Sequence, residues 1–176
     1  MSASGPRLVA LKCPGCQTPL VAHPGELLFA CPRCPTAVEG GADGLTTLPL
    51  GFESGDRPWW SLAGRAKVRQ FAATRAAETP FGDVAHPNQT LPVRFLIPAD
   101  ARPITEVYRA ALDAVGHRPA NGDRSGTVRG GVYSQRAAEQ IARAIFLTLV
   151  ARADGKVHNI EFDLELPDRS VLVRST

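Results

Sequence analysis

The sequence predicts an α+β protein, in which an antiparallel sheet with two helices packed on one face follows a small cysteine-rich module. All four cysteines lie near the N-terminus, in two Cys-x-x-Cys pairs. Segments with the two-residue period of strands stand on either side of two segments with the helical period. The 176 residues are 44% hydrophobic and 21% charged, which is enough for a packed core and excludes global disorder.

Composition divides the chain into four parts. Residues 1–11 are predicted to be disordered, 12–39 to form the cysteine module, the glycine-rich residues 40–44 to form a linker, and 45–176 to form the α+β domain. The longest apolar run, Ala144 to Ala151, is far shorter than the roughly twenty residues of a membrane span. The first residues lack the features of a secretory signal, so a cytoplasmic location is expected.

The cysteines form the pairs Cys13–Cys16 and Cys31–Cys34. Two Cys-x-x-Cys turns at this spacing supply four thiolates, the ligand set of a closed tetrahedral site. We therefore expect one structural Zn²⁺ bound by Cys13, Cys16, Cys31 and Cys34, with no open position for a catalytic water. Iron in the same cage and a redox-active cysteine pair are the alternatives, and spacing alone does not separate zinc from iron.

The residues between the two cysteine pairs predict two short strands joined by a turn. Leu20-Val21 and Leu27 to Ala30 are predicted strands, joined by a turn at His23 to Glu26. The segment from Lys12 to about Val38 resembles the zinc ribbon family, which places its Cys-x-x-Cys pairs at the tips of short hairpins. The resemblance covers about a sixth of the chain and implies metal binding without implying a particular function.

One departure from the ribbon pattern concerns the residue after each pair. This position is often glycine because it takes a left-handed conformation, but here it is Gln17 and Pro35. Proline can neither adopt positive φ nor donate an N–H, so we expect the second knuckle to be less regular than the first.

Alternating or continuous apolar residues predict five strands after the linker. They are Leu45 to Leu50, Pro58 to Thr74 with a bend at Gly64, Leu91 to Ile97, Val157 to Leu166 and Val171 to Arg174. The last two are expected to be separated by a turn at residues 167–170.

Two helices are predicted between these strands. The first begins at Asp100 or Arg102, with Pro103 in its first turn, and stops at Gly116. The second is capped by Ser134 and ends at residues 154–155. Between them, residues 117–132 have no periodicity and are expected to form a binding loop or a mobile loop.

Two strands have charges at every second position. The basic set is Arg65, Lys67 and Arg69, and the acidic set is Glu161, Asp163 and Glu165. Each set occupies one face of its strand, so we predict that the strands are neighbours and that the charges neutralise each other on the solvent face. The opposite faces would then pack in the core, with Ala66, Val68, Phe162 and Leu164 against Ile141, Ile145 and Leu149 of the second helix.

The sequence has no phosphate loop, dinucleotide-binding glycine pattern or nucleophile elbow. Asp83 and His86 are the only candidates for catalysis, and such a pair usually stabilises a turn. We therefore expect a non-enzymatic, zinc-binding adaptor or assembly subunit of a larger cytoplasmic complex, which associates with a protein partner or with itself. Trp59 and Trp60 are the candidate partner-binding or core anchors.

The alternative is a nucleic-acid-binding protein that uses the basic strand 57–75 and the loop 117–132. Its candidate residues are Arg57, Arg65, Lys67, Arg69, Arg75, Arg118, Arg124 and Arg129. The net charge argues against it, because the formal +3 of the chain falls to about +1 once four thiolates and one Zn²⁺ are counted.

Overall fold

The computed structural model describes residues 11–42, 44–124, 126–153 and 157–175, which contain six strands and two helices. In chain order the elements are β1 (Leu28–Ala30), β2 (Thr36–Gly41), β3 (Gly44–Phe52), β4 (Arg57–Ala73), β5 (Gln89–Pro98), α1 (Ile104–Asp113), α2 (Gln135–Arg152) and β6 (Val157–Arg174). The predicted α+β class is therefore confirmed. Of the segment predicted to be disordered, 1–11, only Leu11 lies within the described residues.

The strands form one sheet in the order β1-β2-β3-β6-β4-β5. Neighbouring strands are antiparallel except β3 and β6, which run parallel over three residue pairs, from Leu50–Val171 to Phe52–Val173. The prediction of a purely antiparallel sheet is therefore wrong at this one junction. The C-terminal residues of β6 return beside β3 instead of forming a hairpin with the preceding residues.

The end of the chain forms one strand where two were predicted. β6 runs through residues 167–170, so the predicted turn there is wrong. Pairing with β4 continues past Pro167, with a β-bulge in which Gly64 of β4 lies opposite both Leu166 and Pro167. A bulge tolerates proline because the ladder is already interrupted where its N–H is missing.

The glycines predicted to belong to a linker lie in strands. Gly40 and Gly41 end β2, Gly44 begins β3, and Gly41 pairs with Gly44 across the hairpin. β1 and β2, which stand on either side of Cys31 and Cys34, are therefore joined by hydrogen bonds to the same sheet as the rest of the chain.

Helix α2 covers the main core. Ser134 caps it as predicted, with its Oγ accepting a hydrogen bond from the Ala137 N–H at 3.3 Å. The buried face of α2 comprises Ala138, Ile141, Ala142, Ile145, Phe146 and Val150. In the described part of the chain, neither helix is long and apolar enough to cross a membrane.

Helix α1 borders two apolar clusters. Val107 and Ala111 belong to the main core, whereas Ala110 and Ala114 pack beside a smaller cluster of Trp59, Leu96 and Leu172. Trp59 and Trp60 are consecutive in β4, so their rings lie on opposite faces of the sheet. The prediction that both helices pack on one face of the sheet therefore holds for α2, whereas α1 also contacts the cluster that contains Trp59.

The prediction that the two charged strands are neighbours in the sheet is confirmed. Arg65 lies opposite Glu165 and Lys67 lies opposite Asp163. On the other face, Ala66 and Val68 are buried in the main core, to which Phe162, Leu164 and Leu149 also contribute. The outer face of this part of the sheet is charged, and its inner face is apolar, as the alternation predicts.

Candidate metal centre

The four cysteines lie in two backbone turns beside β1 and β2. In the first turn, the Cys13 N–H donates to the Thr18 carbonyl at 2.9 Å, and the Gln17 N–H donates to the Cys13 carbonyl at 2.8 Å. In the second, the Cys31 N–H donates to the Thr36 carbonyl at 2.9 Å. Both turns hold their cysteines at the end of a hairpin, facing the other pair.

The two knuckles differ in the way expected from the residues that follow each pair. Gln17 adopts a left-handed conformation with φ of 60°, although it is not glycine. Pro35 has no positive φ, and the second turn closes instead through the Thr36 N–H, which donates to the Cys34 carbonyl at 2.8 Å. The sulfurs of the second pair nevertheless lie in one cluster with those of the first.

The four sulfur atoms form a compact cluster that is positioned to hold a metal ion. They lie within 4.8 Å of one another, with Cys13 Sγ 3.6 Å from Cys34 Sγ and Cys16 Sγ 3.4 Å from Cys31 Sγ. All four are free thiols. The metal-ligand prediction for Cys13, Cys16, Cys31 and Cys34 therefore agrees with the geometry.

Backbone and hydroxyl groups around the sulfurs stabilise negative charge. The N–H groups of Arg33 and Cys34 donate to the Cys31 sulfur at 3.4 and 3.5 Å. The Thr18 hydroxyl lies 3.2 Å from the sulfur of Cys16 and, with the Thr18 backbone, lowers the pKa of that thiol to about 6. These contacts prepare the cluster to bind as thiolates.

The pKa of Cys34, in the second cysteine pair, shifts in the opposite direction. The Thr36 hydroxyl lowers the pKa of Cys34, but burial and the neighbouring cysteine sulfurs outweigh it and raise that pKa to about 12. Four thiolates this close together repel one another unless a cation lies between them. Binding of a metal ion would therefore release protons from the cluster.

The cluster is closed on its inner side. Cys13 and Cys31 are fully buried, and they pack with Leu20, Phe29 and Val38 in an apolar cluster separate from the main core. The predicted strand at Leu20-Val21 is absent from the described residues, where Leu20 instead donates from its N–H to the Leu11 carbonyl at 2.9 Å.

The loop 117–132 attaches the cysteine module to the main sheet. The N–H of Leu28 donates to the Gly131 carbonyl at 3.0 Å, and the Gly131 N–H returns a bond to the Leu28 carbonyl at 2.8 Å. Arg124 donates to the Cys31 carbonyl, and its guanidinium lies 5.1 Å from the centre of the Phe52 ring. These contacts were not predicted, because they join residues about a hundred positions apart and have no local sequence signal.

Several of the candidate nucleic-acid residues form ion pairs with carboxylates. Arg57 pairs with Asp100 at 3.1 Å, Lys67 with Glu165 at 2.5 Å, Arg129 with Asp56 at 2.6 Å, and Arg69 with Asp163. Arg124 binds the cysteine module as described above. Arg65, Arg75 and Arg118 are exposed.

The two tryptophans lie in the interior. Trp60 is 0% exposed, and its Nε1 donates to the Tyr133 carbonyl at 2.8 Å. Trp59 is 2% exposed, with the guanidinium of Arg174 4.8 Å from its ring centre. Their burial makes them core anchors, so the suggested partner-binding role has no surface to act through.

Asp83 and His86 lie in the loop before β5, and both are exposed. His86 Nδ1 lies 3.0 Å from the Pro87 carbonyl oxygen, and the Asp83 carbonyl accepts from the Gln89 amide at 2.5 Å. These are local turn contacts, and within the described residues the two side chains make no hydrogen bond to each other.

Comparison with known proteins gives no further assignment. The chain matches no family model, no curated protein and no solved structure.

Proposed function

We propose that the four-cysteine cluster binds one Zn²⁺ and that this ion is structural. A tetrahedral site with Zn–S bonds of about 2.3 Å places its sulfurs about 3.8 Å apart. Two of the sulfur pairs, at 3.6 and 3.4 Å, are near that separation, and all four sulfurs lie within 4.8 Å of one another. Four thiolates complete the coordination shell, which leaves no position for a water nucleophile.

The position of the cluster supports an architectural role. Leu20, Phe29 and Val38 form a core too small to fold the module without further help. A structural zinc adds an apparent binding free energy of about 10–16 kcal/mol in small zinc domains. The ion would thus fix β1 and β2 against β3, and hence the end of the six-stranded sheet.

On this basis we propose a non-catalytic adaptor or assembly subunit that works in the reducing cytoplasm, where thiolates persist. The observation that supports this most is the closed metal cluster. Two exposed apolar side chains add support, since Val21 is 74% exposed and Ile104 is 53% exposed. Val21 and Pro103 line a groove of about 660 Å³ between the cysteine module and the start of α1.

Nucleic-acid binding has weaker support. Arg57, Lys67, Arg69 and Arg129 already have carboxylate partners, so contact with phosphates would require breaking those ion pairs. Both tryptophans are buried, so neither is available for stacking on bases.

Association of the full chain tests the adaptor proposal. We would cross-link the tagged protein at native abundance in its own cells, and measure self-association of the purified protein by analytical ultracentrifugation. Val21→Asp should abolish the association, because it replaces an exposed apolar side chain of the groove with a charge. Leu147→Asp is the matched control, since Leu147 is 46% exposed on α2, away from the groove.

The expected result is a defined partner or oligomer with wild type and Leu147→Asp, and its loss with Val21→Asp. A wild-type protein that is monomeric and recovers no partner would contradict the proposal. Equal behaviour of Val21→Asp and wild type would also contradict it.

A further inference from the structure

The ion pairs between β4 and β6 do not join the residues that lie directly opposite each other. Each paired cation of β4 instead contacts the acidic residue that lies opposite the preceding cation. Arg65 lies directly opposite Glu165, but the Glu165 carboxylate is 2.5 Å from Lys67 Nζ, and Asp163 pairs with Arg69. The Arg65 guanidinium is left with no ion pair within the described residues, although both other cations of its stripe are paired.

The shift occurs beside the β-bulge. Gly64 lies opposite Leu166 and Pro167, so the register changes immediately before Arg65. A Cβ at Gly64 would overlap the carbonyl oxygen of Glu165, so this close approach of the strands requires glycine. Bulges of this kind re-aim neighbouring side chains and occur often beside binding sites.

Arg65 lines a groove of about 570 Å³, and two further arginines line it from other elements. Arg94 comes from β5, and Arg118 comes from the segment after α1. Arg94 pairs with Ala63 and Arg65 with Pro92, so Arg65 and Arg94 are diagonal neighbours on one face of the sheet. Neither Arg94 nor Arg118 forms an ion pair with any described residue.

The charges of the groove are not balanced. Asp168 is the only carboxylate among the described lining residues, and His117, which also lines the groove, is bonded to Glu53 at 2.7 Å. Three guanidinium groups thus face one carboxylate. Arginine side chains held together repel, and their planar donor groups match the oxygens of phosphate in a bidentate geometry.

The uncharged lining indicates a small ligand. Pro80, Phe81 and Pro92 form an apolar wall beside the arginines, and the volume is typical of small-molecule sites. The Phe81 ring packs edge-on against Phe95, with 5.1 Å between ring centres, so it belongs to the core contacts. The groove thus lacks the free aromatic platform that single-stranded nucleic acids use.

We propose that this groove binds the phosphate group of a small organic phosphate. Arg65, Arg94 and Arg118 contact the phosphate oxygens, and the apolar wall contacts the remainder of the molecule. None of the lining residues belongs to the cysteine module. The proposal is therefore independent of the metal and of the adaptor role.

Isothermal titration of the full, metal-loaded chain with pyrophosphate at low ionic strength tests this site. Wild type should show saturable binding with one site per chain. Arg94→Gln and Arg118→Gln should each weaken binding about tenfold or more, because each removes charge-assisted hydrogen bonds. Arg118 lies outside the helices and strands, so its replacement leaves the sheet unchanged.

Arg109→Gln is the matched control, since Arg109 is exposed on α1 and outside the groove. It should change the affinity by less than about twofold. Metal content and thermal midpoint, measured before and after titration, should be the same in all proteins. The absence of saturable binding by wild type would overturn the proposal, as would equal losses in all three variants. Tighter binding of a single-stranded oligonucleotide, lost in Arg69→Gln, would also overturn it in favour of the basic strand.

Discussion

At the scale of single residues, Glu53, which directly follows β3, links that strand to the loop 117–132. Its carboxylate accepts from His117 Nε2 at 2.7 Å and from the Ala120 N–H at 2.8 Å, and Arg174 Nε lies 3.4 Å away. Burial alone would raise the pKa of Glu53, but these hydrogen bonds and charges outweigh it and hold the pKa below its usual value of 4.5. The carboxylate is therefore stabilised by folding.

Replacing this carboxylate should weaken the fold in a pH-dependent way. Because folding lowers the pKa of Glu53, its contribution is complete above the unfolded pKa of about 4.5 and is lost as the pH falls through the lower folded value. Glu53→Gln should reduce the free energy of unfolding by about 1–2 kcal/mol at neutral pH. Urea unfolding of both proteins should show the difference shrinking in acid. A difference that stays constant through the acid range would contradict this role of the charge.

Residues differ in how far their roles can be predicted from the sequence. The four-cysteine cluster could be found because Cys-x-x-Cys pairs have a recognisable local spacing. The roles of Glu53 and Arg124 could not, since their partners lie 64 and 93 positions away and nothing local marks them. The burial of Trp59 was likewise decided by tertiary packing.

At the scale of elements, the paired stripes on β4 and β6 can be tested by charge reversal. Asp163→Lys should destabilise the protein by about 0.5–1 kcal/mol, because it replaces an exposed ion pair with repulsion from Lys67 and Arg69. Glu161→Lys is the control, since Glu161 lies opposite the neutral Gln70. Thermal unfolding should rank the two variants in that order, with metal content unchanged. A larger effect of Glu161→Lys would show that the stripes do not interact as described.

The β-bulge should be sensitive to any side chain at Gly64. Gly64→Ala would overlap backbone atoms of Glu165, so it should cost about 2 kcal/mol or more. Gly41→Ala is the control, because a Cβ there meets its nearest atom at 3.8 Å. Equilibrium denaturation of the two variants checks this. Equal stability of the two proteins would mean that the strands at the bulge separate without cost.

The elements that the sequence predicts well are those with a long period or a clear end signal. The apolar period of α2 and its cap at Ser134 are local features, and the alternation in β6 identified its first half. Pro167 predicts a turn because proline usually interrupts a strand, whereas a β-bulge accommodates it here. The parallel pairing of β3 with β6 joins residues far apart in the chain and has no local signature.

At the scale of the whole molecule, the cysteine module is joined to the sheet through β3. β3 in turn forms three parallel pairs with β6. Further connections are the bonds between Leu28 and Gly131, the bond from Arg124 to the Cys31 carbonyl, and the burial of Leu28 and Ala37 in the main core. Local stability should therefore depend on the metal in β1 and β2 more than in β4 and β6.

Chelation of the metal should separate these two regions in hydrogen exchange. Without metal, the amides of β1 and β2 and the N–H of Gly131 should exchange much faster, while β4 and β6 keep most of their protection. Hydrogen–deuterium exchange followed by mass spectrometry measures both in one experiment. Uniform loss of protection across all strands would indicate that the sheet folds as one unit with the metal.

The metal itself is the central claim, and native mass spectrometry of the purified full chain tests it most directly. We expect one zinc per chain in the wild type and loss of the metal in Cys31→Ser, because this substitution removes a buried thiol of the cluster. Cys31→Ser should also show the rapid exchange expected in β1 and β2. A wild-type chain that holds no metal or holds iron would contradict the account, as would a Cys31→Ser protein that retains zinc as tightly as wild type.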